Sequence, residues 1–228
     1  MTVSTTRMTA RELVAQNLRT RILAGQFPPG RKLNVAEFAE EIGVSHTPTR
    51  EAFQLLASEG LVRISAYRGA RVAELSFEEY EEIFLMRLGL EELAADLGAQ
   101  RIDPDGAKAA REAIEQMAVA AEAENVEAFL AADREFHRVH YEASSRPRLW
   151  ERIGALRSAA ERYIRLGYEL PDVDMSETLR GHRAVLAAIE ARNGSAAREA
   201  IRDDLQRTFQ TVHRKLLDDA LTSERSTS

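Results

Sequence analysis

The sequence predicts a mainly α-helical protein in two parts: an N-terminal winged helix-turn-helix and a C-terminal all-α helical bundle. Three observations predict it. Short apolar periods broken by glycines fill the first 75 residues and end in two strand-like runs. From Ser76 onward apolar residues recur at helical spacing, with no strand signal. Charge divides at the same place: residues 1–75 hold ten Lys or Arg against seven Asp or Glu, net +3, while the rest carries −9 of a total of −6. A basic end on an acidic body points to nucleic-acid contact at one end.

Taken in order, Val14, Leu18 and Ile22 recur every four residues and give the first helix an apolar stripe that stops at Gly25. Phe27-Pro28-Pro29-Gly30 is a rigid turn. Val35, Phe38, Ala39 and Ile42 mark a short second helix ending at Gly43. Ser45 is expected to cap a third helix whose first turn tolerates Pro48, because the missing amide would be unpaired there anyway. Ala52, Leu55, Leu56 and Glu59 continue it to Gly60. Leu61 to Ile64 and Ala70 to Val72 read as strands joined by the turn Ala66-Tyr67-Arg68-Gly69. Two short helices around a Gly-centred turn, with a hairpin behind, make the winged unit.

Six helices are expected in the second part. Ser76 and Glu79 read as a capping box that opens a long helix with Ile83, Leu90 and Ala94 on its inner face. Asp103-Pro104 starts the next, Asn125 caps a third, and Arg146-Pro147 restarts the chain into a fourth that runs to about Gly167. Leu170-Pro171-Asp172 is the clearest loop. Helices over roughly 175–192 and 195–219 follow, split by Asn193-Gly194. The domains are therefore 1–75 and 76–222, with 223–228 a polar, frayed tail.

Composition excludes several chemistries. With no cysteine there is no disulfide scaffold, thiolate zinc site, iron–sulfur cluster or Cys nucleophile. No apolar run reaches the roughly 18 residues of a membrane helix, and the N-terminus lacks the apolar core of a signal peptide, so the expectation is a cytoplasmic protein. Asp133 and His137 lie four apart on one helix face, a spacing suited to a divalent metal. Arg87 falls on the apolar stripe between Ile83 and Leu90, where a charge is costly unless paired. It is either a clamp for a ligand carboxylate or an intrahelical partner of Glu91.

The N-terminal part resembles the GntR family of bacterial transcription regulators. The resemblance runs through Ile22-Leu23-Ala24-Gly25, Phe27-Pro28-Pro29-Gly30, Ile42-Gly43-Val44-Ser45, Thr47 to Phe53 and Leu56 to Val62. Arg87 to Glu91, Asp133-Arg134-Glu135-Phe136-His137 and Gly181 to Leu186 are similar to the FCD-type effector domain of its FadR-like branch. The resemblance implies that the third helix enters the major groove, with His46, Thr47, Thr49 and Arg50 against the DNA and Arg50 placed for a bidentate contact to guanine. Arg31, Lys32 and Arg68 become phosphate or minor-groove candidates, and Gly69 lets the wing backbone approach. His46 stands where the family usually has Arg, which changes what that position reads.

In the second domain the resemblance implies a metal site of Asp133, His137, His182 and a later residue. Alignment puts Asp204 where that later residue is usually His. Two His and two carboxylates favour Mn²⁺, Fe²⁺ or Mg²⁺ over Ni²⁺ or Zn²⁺, with the ion's identity left open among Mn, Fe, Zn and Ni. His140 is a reserve ligand, and His213 is expected at the surface. Arg87 and, with weaker support, Arg134, Tyr141 and Arg183 are candidates to line an effector pocket, whereas Met86 and Trp150 read as packing residues. The expected protein is a dimeric, ligand-responsive repressor that binds double-stranded operator DNA, controlled by a small carboxylate, with no membrane partner. Two rivals remain: the same regulator with a vestigial pocket, and a metal-dependent hydrolase carrying a DNA-binding domain.

Overall fold

The structure is a computed structural model that describes residues 8–65, 69–168, 170 and 172–226, the last eight of these by their backbone. Its contacts divide the chain into two compact units, Met1–Leu75 and Ser76–Ser228.

In the first unit α1 (Ala10–Leu23) begins at a reciprocal cap. The Glu12 amide donates to the Thr9 hydroxyl at 3.2 Å and the Thr9 amide to the Glu12 carboxylate at 2.8 Å. Val14, Leu18 and Ile22 are buried, as their spacing predicts. α2 (Val35–Ile42) is capped by Asn34, whose side chain accepts from the Ala36 amide at 2.9 Å, and it stops at Gly43 with φ +75°, a left-handed turn open to glycine. α3 (His46–Ser58) starts at Ser45 with extended backbone, but the expected side-chain cap is absent there. The Ser45 carbonyl instead accepts from the Thr49 hydroxyl at 3.0 Å.

The strands are β2 (Val62–Ser65) and β3 (Gly69–Val72), each displaced by about a residue from the sequence expectation. A strand absent from that expectation, β1 (Lys32–Leu33), pairs with β3 and makes a three-stranded sheet of order β1-β3-β2. Two residues carry no period, so only pairing to β3 reveals this strand. Residues 66–68 of the predicted turn, Arg68 among them, lie outside the described residues, as does Pro171. The core of the unit is apolar, with Phe38 edge-on to Phe27 and Phe53 at 6.3 and 6.0 Å.

The second unit has six helices among the described residues: α4 (Phe77–Arg101), α5 (Pro104–Glu122), α6 (Val126–Glu142), α7 (Pro147–Gly167), α8 (Met175–Glu190) and α9 (Gly194–Ser226). Asp103 and Asn125 cap α5 and α6 through their side chains. At the start of α4 the Ser76 hydroxyl accepts the Glu79 amide at 3.1 Å, whereas the Ser76 amide donates across the bundle to the Tyr163 hydroxyl at 3.3 Å. α9 continues through the segment read as a frayed tail, to Ser226. Polarity alone does not stop a helix, and after Gly194 that stretch contains neither Gly nor Pro. His213 is half-buried rather than exposed, because its ring packs on Phe77 at 4.4 Å. Gly98 is required by a close approach: a Cβ there would collide with the His140 carbonyl.

Candidate functional site

Five helices of the bundle direct polar side chains into one buried centre. From α4 come Arg87 and Glu91, 4% and 0% exposed. Their ion pair closes at 2.6 Å, so the intrahelical alternative for Arg87 is formed. α6 supplies Asp133, His137 and Tyr141, which share a face because they are four residues apart. α7 adds Arg157, which donates to the second oxygen of Glu91 at 3.1 Å and to Asp133 Oδ2 at 2.6 Å. His182 arrives from α8 and Asp204 from α9.

Around the histidines the hydrogen bonds set direction. Tyr141 donates to Glu91 at 2.7 Å, so its oxygen is left to accept from His137 Nδ1 at 3.2 Å. His182 Nδ1 donates to the Thr178 carbonyl at 2.9 Å. With both Nδ1 atoms acting as donors, the two Nε2 atoms face the same place. There His137 Nε2 and His182 Nε2 are 3.1 Å apart, and Asp133 Oδ1 is 3.4 Å from the first and 2.8 Å from the second. Ligand atoms on one ion with bonds of about 2.1 Å are separated by about 3.0–3.4 Å; two of the three separations fall in that range and the third is a hydrogen bond that an ion would replace, so the trio suits a divalent metal. Two His and one carboxylate on one side of an ion leave its other positions open.

Asp204 does not join the trio. Its Oδ1 lies 3.5 Å from His182 Nδ1, on the far side of the ring from Nε2. An imidazole presents its two nitrogens in divergent directions, so one ion cannot take both His182 Nε2 and Asp204 in this arrangement. The expected fourth ligand is thus a neighbour of the second nitrogen of His182. A small cavity of about 90 Å³ opens on that side, lined by Tyr168, Thr178, Asp204 and Arg207. His140 is also outside the trio and fully buried, with no side-chain hydrogen-bond partner for either ring nitrogen among the described residues.

The electrostatics follow from burial against pairing. Burial acts to raise the Glu91 carboxyl, but Arg87 and Arg157 carry it down to about 2. Burial opposes ionisation of Asp133 as well, yet His137 and Arg157 hold it well below the carboxylate range. For His137 burial and the Arg157 charge lower the ring's pKa, favouring the neutral form a metal needs. His182 goes the other way: burial lowers it, but Asp204 and Asp133 lift it to about 9. Burial lowers the pKa of His140 and keeps it neutral.

A cavity of about 380 Å³ adjoins the centre, lined by Arg87, Asp133, Arg134, Trp150, Arg157 and Glu161 among others. Asp133 belongs to both the trio and the cavity wall. Arg134 stands on the wall, paired to Glu161 at 2.7 Å, whereas Tyr141 lies behind it, turned to Glu91. Trp150, read as packing, lines the cavity, and Met86, also read as packing, is 47% exposed. Arg183 points to solvent on the exposed face of α8. Arg157 was missed in the sequence. It follows Ile153 by four residues on the buried stripe of α7, so the test that singled out Arg87 would also have found it.

In the winged unit His46, Thr47 and Arg50 are exposed along the first turns of α3. Thr49 is 0% exposed. Its placement among outward groups is corrected, because its phase on α3 matches Phe53 and Leu56 and its hydroxyl bonds back to Ser45. Arg31 lies over the Phe27 ring at 4.2 Å and donates to the Gln26 carbonyl at 3.1 Å. Gly69 has φ +71°, with nothing near the position of a Cβ.

The "Bacterial regulatory proteins, gntR family" profile matches residues 7–72, and the "FCD domain" profile matches residues 82–207. The chain belongs to the gntR family. It is 30% identical over 199 residues to a probable D-xylose utilization operon transcriptional repressor of Paenarthrobacter nicotinovorans, covering 86% of this chain and 85% of that protein. It is 25% identical to the HTH-type transcriptional regulator McbR of Escherichia coli K12, over 89% and 92% of the two chains. The solved structure of E. coli McbR/YncC superposes with a TM-score of 0.81 at 23% identity, over 92% of this chain and all of that one, which supports the fold. As a gntR-family member with an FCD domain, this chain is a DNA-binding transcription regulator. No helix among the described residues is long and apolar enough to cross a membrane.

Proposed function

We propose that this regulator is a dimeric repressor whose operator affinity is set by a small carboxylate bound beside a divalent metal. One observation carries the reading: Asp133 is shared between the metal-type trio and the wall of the 380 Å³ cavity, so a ligand there meets the open side of the centre. A metal ion held by Asp133, His137 and His182 would supply a positive point for a carboxylate oxygen. Arg157, Arg87 and Arg134 offer guanidinium donors, and Trp150 a flat apolar wall. The effector acts by binding one placement of the winged units better than the other. On this reading the centre senses and does not turn over substrate, in keeping with a family of transcription regulators.

The test is metal content per chain of the purified parent beside Asp133→Ala, His182→Ala and Asp204→Ala. Near-stoichiometric metal is expected in the parent and in Asp204→Ala, and a loss in the other two. A carboxylate present at about 100 times its dissociation constant should then stabilise the bundle by about 2.7 kcal/mol. A metal-free parent sinks the metal half of the reading. A second reading, a pocket without an effector, is favoured by the carboxylates already paired with Arg87, Arg134 and Arg157. Under it no member of a carboxylate panel shifts the melting temperature.

A further inference from the structure

The cavity of about 90 Å³ lies on the opposite side of the His182 ring from the metal-type trio, between α7, α8 and α9. Asp204 and Arg207 reach its wall from one face of α9, three residues apart. Asp204 is 5% exposed, and its Oδ1 is buried without a hydrogen-bond donor among the described residues. His182 does not serve that oxygen: Nδ1 donates to the Thr178 carbonyl at 2.9 Å and stands 3.5 Å from the carboxylate, beyond a good hydrogen bond. The Tyr168 and Thr178 side chains, also on the wall, are hydrogen-bonded to each other. Arg207 is half-buried, and its Nε has no acceptor among the described residues.

Across the gap, on α8, Gly181 keeps the space open. A Cβ there would lie 2.7 Å from Arg207 Nη2 and 3.2 Å from Asp204 Oδ1. Glycine inside a helix is destabilising relative to alanine, so helix formation does not favour it at this position. The carboxylate and the guanidinium therefore converge on one point, and the carboxylate oxygen still lacks a donor. A buried carboxylate without a donor is costly, so the gap suits a guest that donates at one end and accepts at the other. The exposed Asp174 and Glu177 line the same cavity beside the Asp172–Arg214 ion pair at 2.6 Å, which favours a cationic group in the guest. At roughly 10–15 Å³ for each water-sized group, the space admits about six to nine non-hydrogen atoms.

We propose that this cavity binds a small zwitterion, an α-amino acid of about six to nine non-hydrogen atoms, with its ammonium group on Asp204 and its carboxylate on Arg207. The site is separate from the cavity of about 380 Å³, whose wall includes neither residue. It does not depend on an ion in the trio, because Asp204 faces the other nitrogen of His182.

Isothermal titration calorimetry of the full chain with L-alanine, L-serine and L-proline is the test, beside acetate and methylammonium as the two half-ligands. At least one amino acid should bind saturably, one per chain, with each half-ligand weaker by about tenfold or more. Asp204→Asn and Arg207→Gln should each weaken that binding by about tenfold or more. Gly181→Ala should abolish it while the melting temperature holds or rises, because alanine favours the helix. Arg134→Gln, on the wall of the other cavity, should leave it unchanged, and metal content in Arg207→Gln should match the parent, so failure of the metal reading leaves this one standing. Should Gly181→Ala melt early, Asp204→Asn and Arg207→Gln decide. No saturable heat with any of the three amino acids overturns the site and leaves water in the gap. A half-ligand as tight as the amino acid overturns the zwitterion. Binding lost in Arg134→Gln and kept in Arg207→Gln places the guest in the larger cavity and overturns the site as well.

Discussion

The two units have cores of opposite character. In the winged unit the interior is Val14, Leu18, Phe27, Phe38, Phe53 and Leu56, and Thr49 is the buried polar residue among those described. In the bundle Arg87, Glu91, His137, His140, His182 and Asp204 are all buried, among an apolar set rich in alanine. An apolar core of the right volume is enough to fold a domain. Buried ion pairs add little net stability over apolar replacements, because desolvation consumes most of the attraction. The difference therefore separates a unit whose chemistry lies on its surface from one whose chemistry lies inside. Local rules broken in the interior mark the functional centre.

The contrast is broken most severely at Glu91. Glu91→Ala leaves two buried guanidinium groups, Arg87 and Arg157, without their shared carboxylate. A loss of about 3–5 kcal/mol is expected in urea unfolding of the bundle. Loss below about 1 kcal/mol would mean that water reaches this centre and that its burial is not what shapes it. In the winged unit the corresponding lesion is a cavity. Leu56→Ala, at a site 0% exposed, should cost about 2–5 kcal/mol and abolish duplex binding while metal content is kept. Parallel loss of metal would show that the two units do not fold independently.

Acid sharpens the same comparison. The pKa of Glu91 is lowered to about 2 in the folded chain, from 4.5. Its contribution is therefore present above pH 4.5 and is lost as pH falls toward 2, a change on the order of 3 kcal/mol. Stability against pH, followed through the bundle's unfolding, should flatten over this range in Glu91→Gln. A parent-like acid slope in that variant would shift the effect to other carboxylates.

Smaller effects separate the two faces of α3. Arg50→Ala should cost about 1–3 kcal/mol of discrimination between an operator and a mismatched duplex, read as a ratio of binding constants. Thr49→Val should cost about 1 kcal/mol of stability through its bond to Ser45 and leave that ratio alone. A changed ratio in Thr49→Val would return that side chain to the DNA face.

Most of the fold was legible because its signals are local. Gly25, Gly43 and Gly60 punctuate the first unit, and Asp103-Pro104 and Asn125 start helices that form where expected. Misreadings occurred where the deciding contact is distant in sequence. β1 is two residues long and exists through β3, thirty-eight or so positions later. The Ser76 amide turns to Tyr163, 87 residues away. At the site, Asp133 and His137 could be paired by spacing within one helix, but Asp204 was matched by alignment alone, and a position in a pattern does not say which nitrogen of His182 it faces. Trp150 and Arg157 were readable as residues of the apolar stripe of α7, not as cavity wall.

By itself the sequence determined the two-part architecture, most of the helix limits and the family, because capping, glycine breaks and apolar period act over a few residues. It also determined which residue types were available to a metal and an anion. Only the tertiary structure decided which of them meet. Three helices converge to bring Asp133, His137, His182 and Arg157 within bonding distance of one another or of a common ion, and α9 leaves Asp204 behind the ring. Helix packing fixes rotation about each axis, and that rotation, which no single helix specifies, selects the side of an imidazole that faces the centre.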